Sequence, residues 1–116
     1  MIEATCHCGN VRIMVPEPAP DTLTSCNCSI CRRTGGLWAY YDPANVNVTG
    51  ETVSYVQGDR MLEMRHCGTC GCITHWTPVD SAGKRMGVNA RMMAPEIVAA
   101  ARIRHLDGAD TWEWLD

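Results

Sequence analysis

Cys67-Gly68-Thr69-Cys70-Gly71-Cys72 is a CxxC turn extended by one further CxC step, and its reading decides how this 116-residue chain folds. Two cysteines separated by two residues curl round one metal ion, because the tight turn between them points both sulfurs inward. Gly68 and Gly71 give the backbone the freedom such a turn needs. Two more groups lie upstream, Cys6-His7-Cys8 and Cys26-Asn27-Cys28-Ser29-Ile30-Cys31, and the three together hold all eight cysteines. A lone CxxC would suit redox work. Three clusters in so short a chain point to metal, since a cation neutralises thiolates that are otherwise costly to gather.

Zinc takes four ligands in a tetrahedron with Zn–S near ~2.3 Å. Cys6, Cys8, Cys67 and Cys70 make a natural four-sulfur site, a closed structural zinc that joins the N-terminal strand to the middle of the chain. Cys26, Cys28 and Cys31 are left as a three-sulfur group, and three protein ligands with one open position is how a catalytic zinc is built. Two Zn2+ are therefore expected. Cys72 has two readings: a fourth sulfur that closes the second site, or a small buried hydrophobe on a strand leaving the turn. His66 is an alternative ligand for a first site whose sulfurs already fill it. His7 sits between two ligands and faces away from the metal if they face it.

The other use of eight cysteines is disulfide formation in a secreted chain. Met1-Ile2-Glu3-Ala4-Thr5 has no basic region followed by an apolar run, so no secretory signal is expected and a cytoplasmic location is. No stretch approaches the roughly eighteen apolar residues needed to span a bilayer. The formal charge of -3 comes from ten basic and thirteen acidic residues mixed along the chain, which argues against nucleic-acid binding by phosphate neutralisation. The length suits one domain over residues 1–116, and a homo-oligomer is compatible with it.

Short alternating runs separated by Gly and Pro predict a mostly β domain. Strands are expected at Val11–Val15, Leu37–Tyr41, Val46–Thr49, Thr52–Val56, Met61–His66, Ile73–Thr77 and Met86–Ala90. Pro16, Pro18 and Pro20 exclude helix from the segment between the first two. Pro95 opens one or two helical turns. Ile103–Leu106, the Asp107-Gly108 turn and Trp112–Leu115 are expected to form a final extended pair, which would put Trp112 and Trp114 on one strand face.

The order and spacing of seven cysteines, within Cys6-His7-Cys8-Gly9-Asn10-Val11, Cys26-Asn27-Cys28-Ser29-Ile30-Cys31-Arg32-Arg33 and Cys67-Gly68-Thr69-Cys70-Gly71, resemble the glutathione-dependent formaldehyde-activating enzyme family. That family also includes the domain of centromere protein V. Val88-Asn89 and Asp107-Gly108 fit the same layout, and Cys72 is additional to it. The resemblance implies a small, zinc-stapled, twisted antiparallel-sheet domain of the Mss4-like type. It also implies a structural zinc on Cys6, Cys8, Cys67 and Cys70 and a catalysis-associated zinc on Cys26, Cys28 and Cys31. The activity implied is a carbon–sulfur lyase that, in reverse, joins glutathione and formaldehyde into S-hydroxymethylglutathione.

A three-thiolate zinc carries net negative charge, so it suits thiol chemistry or positioning better than hydrolysis. Arg32 and Arg33 directly follow the second cluster and read either as a clamp for a carboxylate of a glutathione-like thiol or as a solvated pair offsetting thiolate charge. Ser29 and Thr34 supply a hydrogen bond near the zinc or satisfy the turn. Trp38, Tyr40 and Tyr41 line a groove or pack in alternation. Asn89 hydrogen-bonds a turn, and Arg91 is a solvated charge. Two functions survive: a zinc enzyme of carbon–sulfur chemistry acting on a small thiol adduct, and a non-catalytic zinc scaffold or protein-interaction module.

Overall fold

Runs of four to six residues with period-two alternation, each broken by Gly, Pro or a polar turn, favour strands over helices of the same length. The computed structural model, which describes residues 1–116, has 41% of them in strands and 14% in helices. The strands are β1 (Ile2–Thr5), β2 (Arg12–Val15), β3 (Thr22–Cys26), β4 (Trp38–Tyr41) and β5 (Asn47–Thr49). They continue with β6 (Thr52–Val56), β7 (Leu62–Cys67), β8 (Ile73–Pro78), β9 (Met86–Asn89) and β10 (Arg102–Leu106). Two short α-helices interrupt them, α1 (Cys31–Thr34) and α2 (Pro95–Ala100), the second with proline in its first turn, along with two 3-10 turns at Pro43–Asn45 and Ala90–Met92. No helix is long and apolar enough to cross a membrane.

One sheet has three strands in the order β1-β2-β5; the other has seven, β10-β3-β4-β9-β8-β7-β6. All neighbours are antiparallel except β10 and β3, which run parallel in the register Ile103 opposite Leu23. The main core lies where the small sheet meets the large one. Ala4, Ile13 and Val15 come from the small sheet, and Leu23, Ala39, Met86 and Val88 from the large one. A second, smaller cluster of Trp38, Met64 and Trp76 forms separately. Strand β4 serves both by alternation: Ala39 and Tyr41 pack on the main core, Trp38 and Tyr40 on the smaller cluster.

The end of the chain departs from expectation. Strand β10 pairs along its length with β3, and the segment that follows pairs with it only at the Leu106–Trp114 antiparallel bridge. There Asp107 N donates to the Glu113 carbonyl at 2.9 Å and Leu115 N to the His105 carbonyl at 2.8 Å. Trp112 has a φ of 60°, so Trp112–Leu115 is not a strand and the two tryptophans share no strand face. Asp107 explains the change. Its carboxylate accepts from Asn27 Nδ2 at 3.0 Å and Thr111 Oγ1 at 2.9 Å, while its carbonyl accepts from Trp112 N at 2.8 Å. Side chain and carbonyl together hold a compact turn, which limits the returning segment to a single bridge in place of a two-stranded hairpin. Trp114 instead lies under Arg104, whose guanidinium carbon is 3.8 Å from the ring centroid.

Candidate metal and substrate site

The first cysteine group assembles where β1 runs out into the His7–Asn10 turn and meets the hairpin between β7 and β8. The Gly71 amide donates to the Cys67 carbonyl at 2.9 Å, closing the turn, and Gly71 has a φ of 80° that a side chain would resist. Cys6 and Cys8 sulfurs are 3.7 Å apart, and Cys8 and Cys67 sulfurs 3.6 Å. A tetrahedron with metal–sulfur bonds of about 2.3 Å has edges of about 3.8 Å, and all four sulfurs of Cys6, Cys8, Cys67 and Cys70 lie within 4.8 Å of one another.

Backbone amides point at these sulfurs: Val11 N at 3.2 Å from Cys6 and Thr69 N at 3.4 Å from Cys67. Such donors favour thiolate over thiol. The amides of Cys72 and Cys8 hold the Cys70 thiol down to about 5. The Asn10 amide also favours a Cys8 thiolate, but burial and the crowded sulfurs of Cys67, Cys6 and Cys70 push it up to about 12. That mutual repulsion is what a divalent cation at the centre removes. Cys72 stands beside this group, receiving the His7 amide and facing Cys70 and Cys6. It is therefore not the fourth sulfur of the second group. His7 is exposed, with its ring outside the cluster.

The second group is built by one strand end and one helix start. Cys26 closes β3, Cys28 sits in the following turn and Cys31 opens α1. The three sulfurs lie within 4.8 Å of one another, with Cys28 N 3.5 Å from Cys26 Sγ and Cys31 N 3.4 Å from Cys28 Sγ. Burial raises the Cys26 and Cys31 thiols. Burial also acts upward on Cys28, but the Cys31 amide and the neighbouring thiols outweigh it and leave Cys28 lowered. Among the groups that favour a Cys31 thiolate is the Trp38 indole N–H, which is buried and has no other partner.

The Asp107-Gly108 turn packs directly on this second group. Asn27 ties the two together, donating to Asp107 and accepting from Ala109 N at 2.9 Å. A Cβ on Gly108 would stand 2.4 Å from Cys26 Sγ, so only glycine permits the approach, and the Gly108 amide favours the Cys26 thiolate. The structural part of Gly108 was not evident from spacing; its one sequence signal was the Asp-Gly pair itself.

Three cavities border the second group: Cys28, Arg32 and Asp59 line one of about 370 Å³, and Cys26, Cys31 and Leu106 line the other two. Of these two, one, of about 260 Å³, carries Arg32, Arg91 and His105. The other, of about 400 Å³, is walled by Trp38, Trp76, Met64, Leu62 and Ile30. Arg32 and Arg33 thus diverge: Arg32 faces the basic cavity, whereas Arg33 donates to the Ser29 carbonyl at 2.7 Å. Arg91, read from sequence as a solvated charge, takes the second cationic place and donates through Nε to the Gly35 carbonyl at 2.8 Å. Thr34 satisfies its own turn through the Cys31 carbonyl, 3.4 Å away. Trp38 and Tyr40 line the apolar cavity, while Tyr41 packs elsewhere.

Comparison with known proteins agrees with this layout. A family model described as glutathione-dependent formaldehyde-activating enzyme matches residues 1–105. A Halomonas elongata protein named for glutathione-dependent formaldehyde activation is 39% identical over 56 residues. Those residues are 48% of this chain and only 33% of that relative's length. A crystal structure of a Rhodobacter sphaeroides protein superposes with a TM-score of 0.72 at 30% identity, covering 88% of this chain and 99% of that one.

Proposed function

The chain belongs to the glutathione-dependent formaldehyde-activating enzyme family, and from that premise we propose that it is a zinc-dependent enzyme of carbon–sulfur bond chemistry acting on a small thiol adduct. The observation that carries this reading is the difference between the two cysteine groups. Four sulfurs make up the first and Cys72 stands beside it, whereas three sulfurs make up the second, which opens on three cavities. Cys6, Cys8, Cys67 and Cys70 would hold a structural zinc; Cys26, Cys28 and Cys31 would hold the zinc at the reacting centre. The all-sulfur donor sets, their spacing and the amides aimed at them fit this metal. Bound there, zinc supplies the charge that lets a substrate thiol bind as thiolate near neutral pH.

The residues around that centre divide the remaining work. Arg32 and Arg91 place two cations where the carboxylates of glutathione can be held, fixing its thiol near the second group. In the forming direction the thiolate sulfur bonds to the aldehyde carbon, and the carbonyl π pair moves to oxygen, which then takes a proton. Tyr40 keeps its proton at neutral pH, because burial outweighs the pull of Thr24 and Arg85 in the other direction. Its hydroxyl is thus a donor for that oxygen from the cavity wall.

The test is metal content together with sulfur count. Protein purified under reducing conditions should carry two zincs with an average near 3.5 sulfurs each by X-ray absorption, from roughly four and three ligands. It should also accelerate hemithioacetal formation from glutathione and formaldehyde. Four sulfurs on both ions, with no such activity, would instead favour a zinc scaffold or interaction module.

A further inference from the structure

The apolar cavity has no evident use in a reaction whose carbon partner is formaldehyde. One carbon and one oxygen present almost no apolar surface, whereas this cavity, at about 400 Å³, is larger than the basic one at about 260 Å³. Its walls are mostly apolar, Trp38, Trp76, Met64, Leu62 and Ile30 among them, with Gln57, Asp59 and Arg85 as the hydrophilic side chains of the lining and Tyr40 and Trp76 in edge-on contact at 6.1 Å between ring centroids. Glutathione itself fits this lining poorly, since the only charged side chains there are Asp59 and Arg85, one cation for two carboxylates. The cation on this side, Arg85, already lies over the Tyr40 ring at 4.5 Å. The groups that match a tripeptide's carboxylates, Arg32 and Arg91, stand across the cysteine group in the basic cavity.

We infer that the apolar cavity receives the carbon-side substituent of the adduct, so that the substrate class is a glutathione-type thiol adduct of an aromatic or long-chain aldehyde. This rests on the proposed carbon–sulfur function and narrows it. The three sulfurs form the partition: Cys26 and Cys31 face both the basic and the apolar cavity, so an adduct whose sulfur sits at the second group can send its peptide one way and its apolar group the other. Burying roughly 60 Å² of an aromatic ring at about 25 cal/mol per Å² corresponds to a tenfold gain in affinity.

Isothermal titration of zinc-loaded protein with S-methylglutathione and S-benzylglutathione separates the two levels of the argument. The inference expects the benzyl compound to bind at least tenfold more tightly. It further expects Leu62→Trp, which fills the cavity from β7 and is checked for two zincs and a native circular-dichroism spectrum, to erase that difference. If Leu62→Trp fails the fold check, Met61→Trp, at the exposed rim of the same cavity, replaces it. Equal affinity for the two ligands overturns the inference and leaves the thiol-adduct reading standing. A benzyl preference that survives in the filled variant also overturns it, because the ring then sits elsewhere. Binding of neither ligand overturns the glutathione reading, and the inference with it.

Discussion

At the scale of single residues, Gly108 shows how little it takes to hold the second cysteine group together. A methyl at this position would press on Cys26 Sγ from 2.4 Å and on Cys28 Cβ from 3.2 Å. Neither the turn nor the sulfur can yield easily, since Asp107 is anchored to Asn27 within the same loop. Gly108→Ala is therefore expected to drop zinc content from two toward one per chain while the circular-dichroism spectrum stays native. Elemental analysis decides it, and an unchanged content of two would show that the loop moves aside. His75 is the other informative residue. It is buried beside Thr74, and burial first, then Arg65, holds its pKa down to about 4 from the usual 6.5.

The folded state thus prefers neutral His75, and between those two values the unfolded chain binds the proton that the folded chain refuses. Stability is full above pH 6.5 and falls as pH drops toward 4, by about 3 kcal/mol for this group. Denaturant melts across that window should show a steeper loss for the native sequence than for His75→Gln. Parallel slopes would mean that the ring takes up its proton without unfolding. The cysteines announce themselves by spacing, but Gly108, Arg91 and the indole of Trp38 do not. Their importance comes from contacts between segments far apart in the chain, such as Arg91 with Gly35, which no local pattern encodes.

At the scale of elements, the large sheet is held around the site by Asn89 at the end of β9. Its side-chain oxygen accepts from Leu37 N and Arg91 N, both at 3.2 Å, and its amide donates to the Ile73 carbonyl at 2.8 Å. Three elements thus meet on one buried side chain: the start of β4, the start of β8 and the turn that carries Arg91. Asn89→Leu leaves three backbone groups without partners in the interior, at about 1 kcal/mol or more each. Thermal melting should fall by the equivalent of about 3 kcal/mol, and Asn89→Asp should recover part of it through the shared oxygen. An unchanged midpoint for Asn89→Leu would show that water replaces all three bonds. Most strands were readable because alternation and Gly or Pro breaks are local. Strands β1 and β3 were missed, as was α1. Each is short, and β3 is fixed by its parallel partner β10 from the far end of the chain, a pairing invisible to any window of neighbouring residues.

At the scale of the whole molecule, the question is which part of the chain supplies its stability. Only 22 of 116 residues are buried, in clusters of 13 and three apolar side chains with few others. A domain of this size commonly has a net stability of about 5–15 kcal/mol, and a structural zinc in a small protein contributes about 10–16 kcal/mol. If the first group holds a structural zinc as proposed, losing that metal would therefore remove most or all of the margin. That site also joins the small sheet, through Cys6 and Cys8, to the β7–β8 hairpin of the large one. The second site spans only the end of β3 and the start of α1, and its loss opens no comparable seam. Cys67→Ser should accordingly give a chain that is unfolded by circular dichroism even with zinc in excess. Cys31→Ser should keep a cooperative melt, retain one tightly held zinc and lose hemithioacetal formation. If both variants melted alike, the two metals would share the structural load, and the division of labour between a closed site and an open one would fail.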